Sequence, residues 1–205
     1  MGRLLTQLKK LNLNQHTIII FTSDNGGLHV REVPAFAKNT PPITNAPLKD
    51  GKGYLYEGGL RIPLMIRDPF STVKGMEINT PVITDDFFNT IMAISGSNSK
   101  TDDGLDLTPL LYGKSIKERN LYWHFPHYSP QGGQPGSVVR NASYKLITWY
   151  ETGEMELYNL ANDIEENKNI LEHKPKLVGE LKASLDLWLN ELDAKMPKDN
   201  PRYEP

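Results

Sequence analysis

The chain is predicted to be α/β, with a small antiparallel sheet and a packing helix at its C-terminal end, and three observations predict it. First, a helical apolar pattern at Leu4, Leu8 and Leu11 leads into the unbroken run Thr17-Ile18-Ile19-Ile20-Phe21. Such a run is expected of a strand buried on both faces of a parallel sheet. Second, short strand-like pieces at 121–123, 137–140, 144–150 and 155–160 follow one another, with turn residues Asn141 and Gly153 between the last three. Third, Leu177, Leu181, Leu185, Trp188, Leu192 and Met196 form one apolar helical stripe, which must pack on something, and the sheet face is the obvious partner. The division follows: residues 1–113 form the α/β part and residues 114–205 the antiparallel subdomain with its helix.

The opening helix has no Ser, Thr or Asp cap before Leu4, so the chain is expected to enter in mid-element. From 33 to 47 the sequence is rich in Pro, Asn and Thr without periodicity, and reads as a long loop. The stretch 60–66 reads as a second strand, with Pro63 suiting an edge or a strand start. Thr84 is the expected cap of a helix that carries Asp85 and Asp86 at its positive end, buries Phe87, Ile91 and Ile94, and stops at Ser95-Gly96. Only the tail 197–205 reads as disordered.

At 205 residues the chain is long enough for one medium domain, or one with an appended subdomain. A formal charge of -2 without a basic stripe argues against nucleic acid and anionic membrane as partners, and leaves a small anionic substrate open. No cysteine is present, which excludes disulfides, thiolate metal sites and a cysteine nucleophile within these residues. No apolar run approaches the ~20 residues of a membrane span, and the first residues lack a signal-peptide pattern.

Three clusters carry residues fit for chemistry. Ser23-Asp24-Asn25-Gly26-Gly27 follows the predicted interior strand, the place where ligands bind in open α/β sheets. Asp24 and Asn25 offer hard oxygens suited to Ca²⁺ or Mg²⁺, while the two glycines let the backbone turn sharply; taken alone, a plain turn is the favoured reading. In 47–61, glycines flank Lys52, which suits a compact ammonium approaching a tetrahedral anion with Arg61 nearby. The spacing is not that of a P-loop, and a glycine-rich surface loop with solvated charges is again favoured without context. His124 and His127 sit among aromatics in 121–128, as ligands, cleft residues or packing groups. His16, His29 and His173 lie in polar surroundings and read as solvated, and Asn141-Ala142-Ser143 serves equally as a hairpin turn or a glycosylation acceptor.

In order, IIIFTSDNGG (18–27), PLKDGKGYLYEGGLRIP (47–63), PVITDDFFNTIMAISG (81–96), DGLDLTPLL (103–111), LYWHFPHY (121–128), Val139-Arg140 with YKLI (144–147), and ELYNL (156–160) closely resemble the sulfatase family. The likeness is to the arylsulfatase-A-like members of the alkaline-phosphatase-like superfamily, and to their C-terminal half only. The resemblance implies that Asp24 and Asn25 are the later pair of ligands to a catalytic divalent cation, Ca²⁺ rather than Mg²⁺, and that Lys52 contacts the substrate sulfate. It places His124 and His127 in the substrate cleft, and gives Glu57, Gly58, Gly59 and Arg61 a largely structural part. The family's Cys/Ser-x-Pro-x-Arg motif, source of the formylglycine nucleophile, is absent, as are the early acidic pair and the histidines and lysine of the N-terminal half.

The resemblance therefore implies a sulfuric ester hydrolase fragment that takes a small sulfated carbohydrate or aryl ester, is inactive alone, needs the N-terminal half of the catalytic domain, and comes from a periplasmic or extracellular parent. Rival readings are a phosphoester or phosphonate hydrolase of the same superfamily, a non-catalytic sulfated-glycan-binding remnant using the 121–128 surface, and an unstable remnant with an exposed sheet edge.

Overall fold

A computed structural model of the chain describes residues 1–30, 42–198 and 200–202. It packs as two compact units, one of residues 1–22 and 63–118, the other of residues 23–62 and 119–205. A cut at Gly113 separates the segment 23–62 from residues 119–205; packing joins them. Most of the predicted loop 33–47 lies outside the described residues, as does much of the predicted tail. Among the described residues no helix is long and apolar enough to cross a membrane.

The first unit holds helix α1 (Gly2–Lys10), strand β1 (Ile19–Thr22), strand β2 (Leu64–Arg67), helix α3 (Asp86–Ile94) and the short α4 (Thr108–Leu111). The predicted parallel, doubly buried strand is corrected here. β1 pairs antiparallel with β2, Ile19 opposite Arg67 and Thr22 opposite Leu64. Each strand has one neighbour among the described residues, and Phe21 and Met65 remain exposed. A two-stranded ribbon lacks the layers that bury both faces. Pro63 precedes β2 as expected, but the predicted strand is shorter, because 57–60 coil into a helical turn instead.

Helix α3 also reverses its expected burial. Asp86, Asn89 and Thr90 are buried, whereas Ile91 and Ile94 are exposed and Phe87 is only half-buried. The polar face clamps the following loop. Asp86 accepts hydrogen bonds from the Ile83 and Leu105 amides at 2.9 and 2.8 Å, and thereby replaces Thr84 as the side chain that holds the helix start. Asn89 donates to the carbonyls of Thr101 and Gly104, and the Leu107 amide donates to Thr90 Oγ1 at 2.9 Å. Buried polar groups must be paired, and the i, i+3, i+4 spacing of these three lets one helix face satisfy an entire loop.

The second unit is built on the antiparallel sheet β3 (Asn120–Phe125), β4 (Gly136–Asn141), β5 (Tyr144–Trp149) and β6 (Met155–Asn159), in sequential order and close to the predicted strands. Asn141 to Tyr144 is the β4–β5 hairpin, with Ala142 at φ 46°. Alternation sends Val139, Leu146 and Leu157 to one face and Val138, Ile147 and Tyr158 to the other. Helix α5 (Pro175–Glu191) covers the first face through Val178, Leu181 and Leu185, as its stripe predicts. It ends before Leu192 and Met196, which stay exposed.

The second face is covered by the segment carrying Leu55, Tyr56 and Leu60, which includes the helical turn α2 (Glu57–Leu60). Here lies a buried charge cluster. Lys145 Nζ, fully buried, stands 2.8 Å from Glu166 Oε1 and 3.2 Å from Glu57 Oε1, and Arg140 reaches Glu57 Oε2 at 3.3 Å. Glu166 also accepts the Glu57 amide at 2.6 Å. It holds this pose at φ 53°, a left-handed conformation that costs a side-chain-bearing residue about 1 kcal/mol or more. Its turn is braced by Asp163, which accepts the Asn167 and Lys168 amides at 3.1 and 2.8 Å.

Burial pushes the Glu166 carboxyl above its ordinary 4.5, against the opposing pull of Lys145 and of the Glu57 amide, and the Glu57 carboxylate adds to the rise. A raised acid stabilises the fold fully below its ordinary value, and that contribution fades as pH climbs through the folded value. Urea midpoints of the wild type and Glu166→Gln are therefore expected to diverge in favour of the wild type as pH is lowered from 7 toward 4.5. A constant difference would contradict this linkage.

Candidate functional site

The Ser23–Gly27 turn and the lysine loop are fastened to each other through their backbones. The Gly26 amide donates to the Gly59 carbonyl at 2.9 Å, the Lys52 amide to the Gly27 carbonyl at 3.1 Å, and the Gly58 amide to the Lys49 carbonyl at 2.9 Å. Asn45 adds a bridge, its Nδ2 donating to the carbonyls of Gly27 and Asp50, both at 2.8 Å.

The glycines serve this contact, which corrects their expected part as turn formers. Neither Gly26 nor Gly27 has a positive φ. A Cβ on Gly26 would lie 1.8 Å from the Gly58 carbonyl oxygen, one on Gly58 2.3 Å from the oxygens of Lys49 and Asp50, and one on Gly51 2.3 Å from that of Gly27. Three backbone segments thus approach to distances that only hydrogen side chains allow. Gly53, at φ +87°, does reverse the chain just beyond Lys52.

Asp24 is exposed and Asn25 half-buried. The Asn25 amide nitrogen donates to the Gly26 carbonyl at 2.8 Å, so the amide oxygen is the atom turned to other partners. A carboxylate and an amide oxygen on adjacent residues are a hard donor pair, fitting part of the six or more oxygens that Ca²⁺ takes. Among the described residues no three His, Asp or Glu side chains gather as a complete metal site.

The structure brings further residues to the lysine loop that sequence reasoning missed. His29, read as solvated, is mostly buried: its Nε2 is 3.5 Å from Asp50 Oδ1, and its ring meets Tyr54 edge-on at 5.2 Å. The turn 129–133 packs against Gly53, whose Cβ would strike Ser129 Oγ, and Tyr54 Oη donates to the Gln131 carbonyl at 2.7 Å. Burial, then the Asp50 charge, raises the Tyr54 pKa, so its hydroxyl keeps the proton it donates.

The two histidines of β3 and its end differ. His124 has both ring nitrogens engaged, Nδ1 with Ser137 and Tyr150 at 2.8 Å each and Nε2 donating to the Lys195 carbonyl at 3.0 Å. That arrangement ties the stretch that follows α5 to the sheet. His127 is exposed beside Phe125, two residues before the turn that abuts Gly53. Arg61 is exposed, and Glu57 belongs to the buried cluster.

Residues 1–97 match the family model described as sulfatase, and residues 50–195 match that of N-sulphoglucosamine sulphohydrolase, C-terminal. The chain belongs to the sulfatase family. A sulfatase of Formosa agariphila is 33% identical over 97% of this chain and 38% of its own length. Human arylsulfatase A is 32% identical over 70% of this chain and 27% of its own length. Two solved structures share the fold. One, bound to its substrate D-glucosamine-2-N,6-O-disulfate, has a TM-score of 0.75 and 26% identity over 96% of this chain and 38% of its own. The other, in complex with k-i-k-neocarrahexaose, has a TM-score of 0.74 and 27% identity over 96% and 41%. This sulfatase chain thus spans between about a quarter and two fifths of the length of these relatives, and its fold is that of the alkaline-phosphatase-like sulfatases.

Proposed function

We propose that this sulfatase chain supplies one side of a sulfuric ester hydrolase site, with Asp24 and Asn25 holding a divalent cation, Ca²⁺ before Mg²⁺, and Lys52 contacting the sulfate of a small sulfated sugar. The observation that carries the reading is the Lys52 amide bonded to the Gly27 carbonyl, 3.1 Å, two residues beyond Asn25. The sugars bound in the two structural relatives favour a carbohydrate over an aryl ester.

A cation bound there would polarise the sulfuryl oxygens as a Lewis acid. Within the chain, Asp24 and Asn25 present oxygens, Lys52 carries an ammonium suited to an anion, and Tyr54 and Asn45 keep the loop in place. His127, exposed and near the Gly53 turn, is the better candidate for sugar contact than the fully engaged His124. Cleavage requires a nucleophile that these residues do not include, so turnover depends on the remaining catalytic half. The exposed Phe21, Met65, Phe88 and Ile91 are consistent with further chain covering the first unit.

The test is calorimetric titration of the chain with D-glucosamine-2-N,6-O-disulfate, with and without Ca²⁺. Binding is expected to need Ca²⁺ and to weaken about tenfold or more in Lys52→Ala, the value of one lost charge-assisted hydrogen bond. Binding indifferent to chelator and to Lys52→Ala would instead favour a glycan-binding surface at 121–128. Aryl sulfate turnover by the chain alone, at the rate of a complete sulfatase, would reject the dependence on another half.

A further inference from the structure

We propose that Lys145 and Glu166 are positioning residues for the candidate site: a buried charge cluster on the C-terminal sheet sets where Lys52 stands relative to Asp24 and Asn25. The inference rests on the site reading above, and its structural part stands apart from it.

The path is continuous within the second unit. Lys145 rises from β5 on the face that α5 does not cover, and bridges the carboxylates of Glu166 and Glu57. Glu166 accepts the Glu57 amide at 2.6 Å, fixing the start of α2 by a second bond independent of the ion pairs. The next two residues of that turn are the contact points of the site. Gly58 donates to the Lys49 carbonyl and Gly59 accepts from Gly26, while Lys52 donates to Gly27. Glu57 is therefore the joint between cluster and loops, one residue from the first of these bonds.

Lys49 closes the arrangement from the other end. Its ammonium lies 3.7 Å from the centre of the Tyr56 ring and 3.4 Å from the Glu166 carbonyl, so the start of the lysine loop is held to Tyr56 and Glu166. Tyr56 in turn donates to Glu156 of β6 at 2.9 Å. The loop that carries Lys52 thus meets the sheet through Tyr56 and Glu57, and its glycines leave no slack between the backbones. Displacing Glu57 moves Gly58 and Gly59, and with them the Gly26 and Lys52 bonds.

A general role in stability predicts something different from positioning, and amide hydrogen exchange separates the two. Lys145→Met and Glu166→Ala are compared with Leu185→Ala, which opens a cavity on the opposite, α5-covered face. In the two cluster variants, exchange at the Gly26, Lys52 and Gly58 amides is expected to rise about tenfold more than at the amides of β4 and β5. Leu185→Ala is expected to raise both groups alike. Uniform acceleration in all three variants overturns the proposal. Should Lys145→Met fail to fold, Glu166→Ala carries the same comparison. Calcium titration then reports on the site itself: affinity is expected to fall in the cluster variants and hold in Leu185→Ala under folding conditions. A wild-type chain that binds no Ca²⁺ defeats the functional reading, whereas the exchange pattern alone decides the positioning claim.

Discussion

Lys145→Met is expected to lower the unfolding free energy by about 3–5 kcal/mol, read from urea denaturation at pH 7. Methionine replaces the aliphatic stem, so little volume is lost; the loss is of charge. Glu57 and Glu166, both 2% exposed or less, would then share a dry site with only the partly exposed Arg140 beside them. Removing one member of a buried ion group leaves an uncompensated charge, which costs far more than the group's net contribution. The deficit should shrink as pH falls toward 4.5, because protonation of Glu166, whose carboxyl burial pushes upward, removes one stranded charge from the folded state. A triple variant, Lys145→Met with Glu57→Gln and Glu166→Gln, should recover part of the loss. A deficit under 1 kcal/mol in the single variant would show that Arg140 and water compensate the pair.

Gly26→Ala is expected to break the junction between the two loops. Its methyl carbon would stand 1.8 Å from the Gly58 oxygen and 2.9 Å from the Gly59 Cα, and both obstacles are backbone with no rotamer to yield. Overpacking of this kind costs about 1–3 kcal/mol, with the larger values where the neighbours cannot move. The greater effect should fall on binding. As the Gly26–Gly59 bond opens, Asp24 and Asn25 shift relative to Lys52, and Ca²⁺-dependent binding of the disulfated sugar should weaken by more than tenfold. Circular dichroism should show β3–β6 and α5 still formed. Unchanged binding would show that the two loops hold their relation by other contacts.

Local pattern carried some elements and misled on others, and the difference is physical. The four strands of the C-terminal sheet and its helix were legible because their periods, two and near 3.6, report which side faces apolar cover. The same rule misread α3: Phe87, Ile91 and Ile94 promise a buried stripe, yet Asp86, Asn89 and Thr90 are the buried ones. Their hydrogen bonds to the 101–107 loop satisfy that face, a pairing invisible until the loop is in place. The second cover of the sheet did have a signal. Val138-Val139, Leu146-Ile147 and Leu157-Tyr158 are adjacent apolar pairs, and adjacent apolar residues in a strand mean two buried faces.

For the candidate site, residue type offers Asp24 and Asn25 as hard oxygens and Lys52 as a glycine-flanked ammonium, but locally a plain turn and a solvated loop are the favoured readings, and only the ordered family resemblance singles the three residues out. Residue type also kept His124 and His127 together, where the fold separates them by exposure. The sequence by itself determined the strands, the final helix and the groups able to meet a cation or an anion, because backbone periodicity and functional-group chemistry are local. Only the tertiary structure decided that Gly26 serves contact rather than turning, that His29 packs against the lysine loop, and that Glu57, Lys145 and Glu166 share one buried site. A charged or glycine residue carries no mark of its partner, and which neighbours exclude water from it is settled only when distant segments close upon one another.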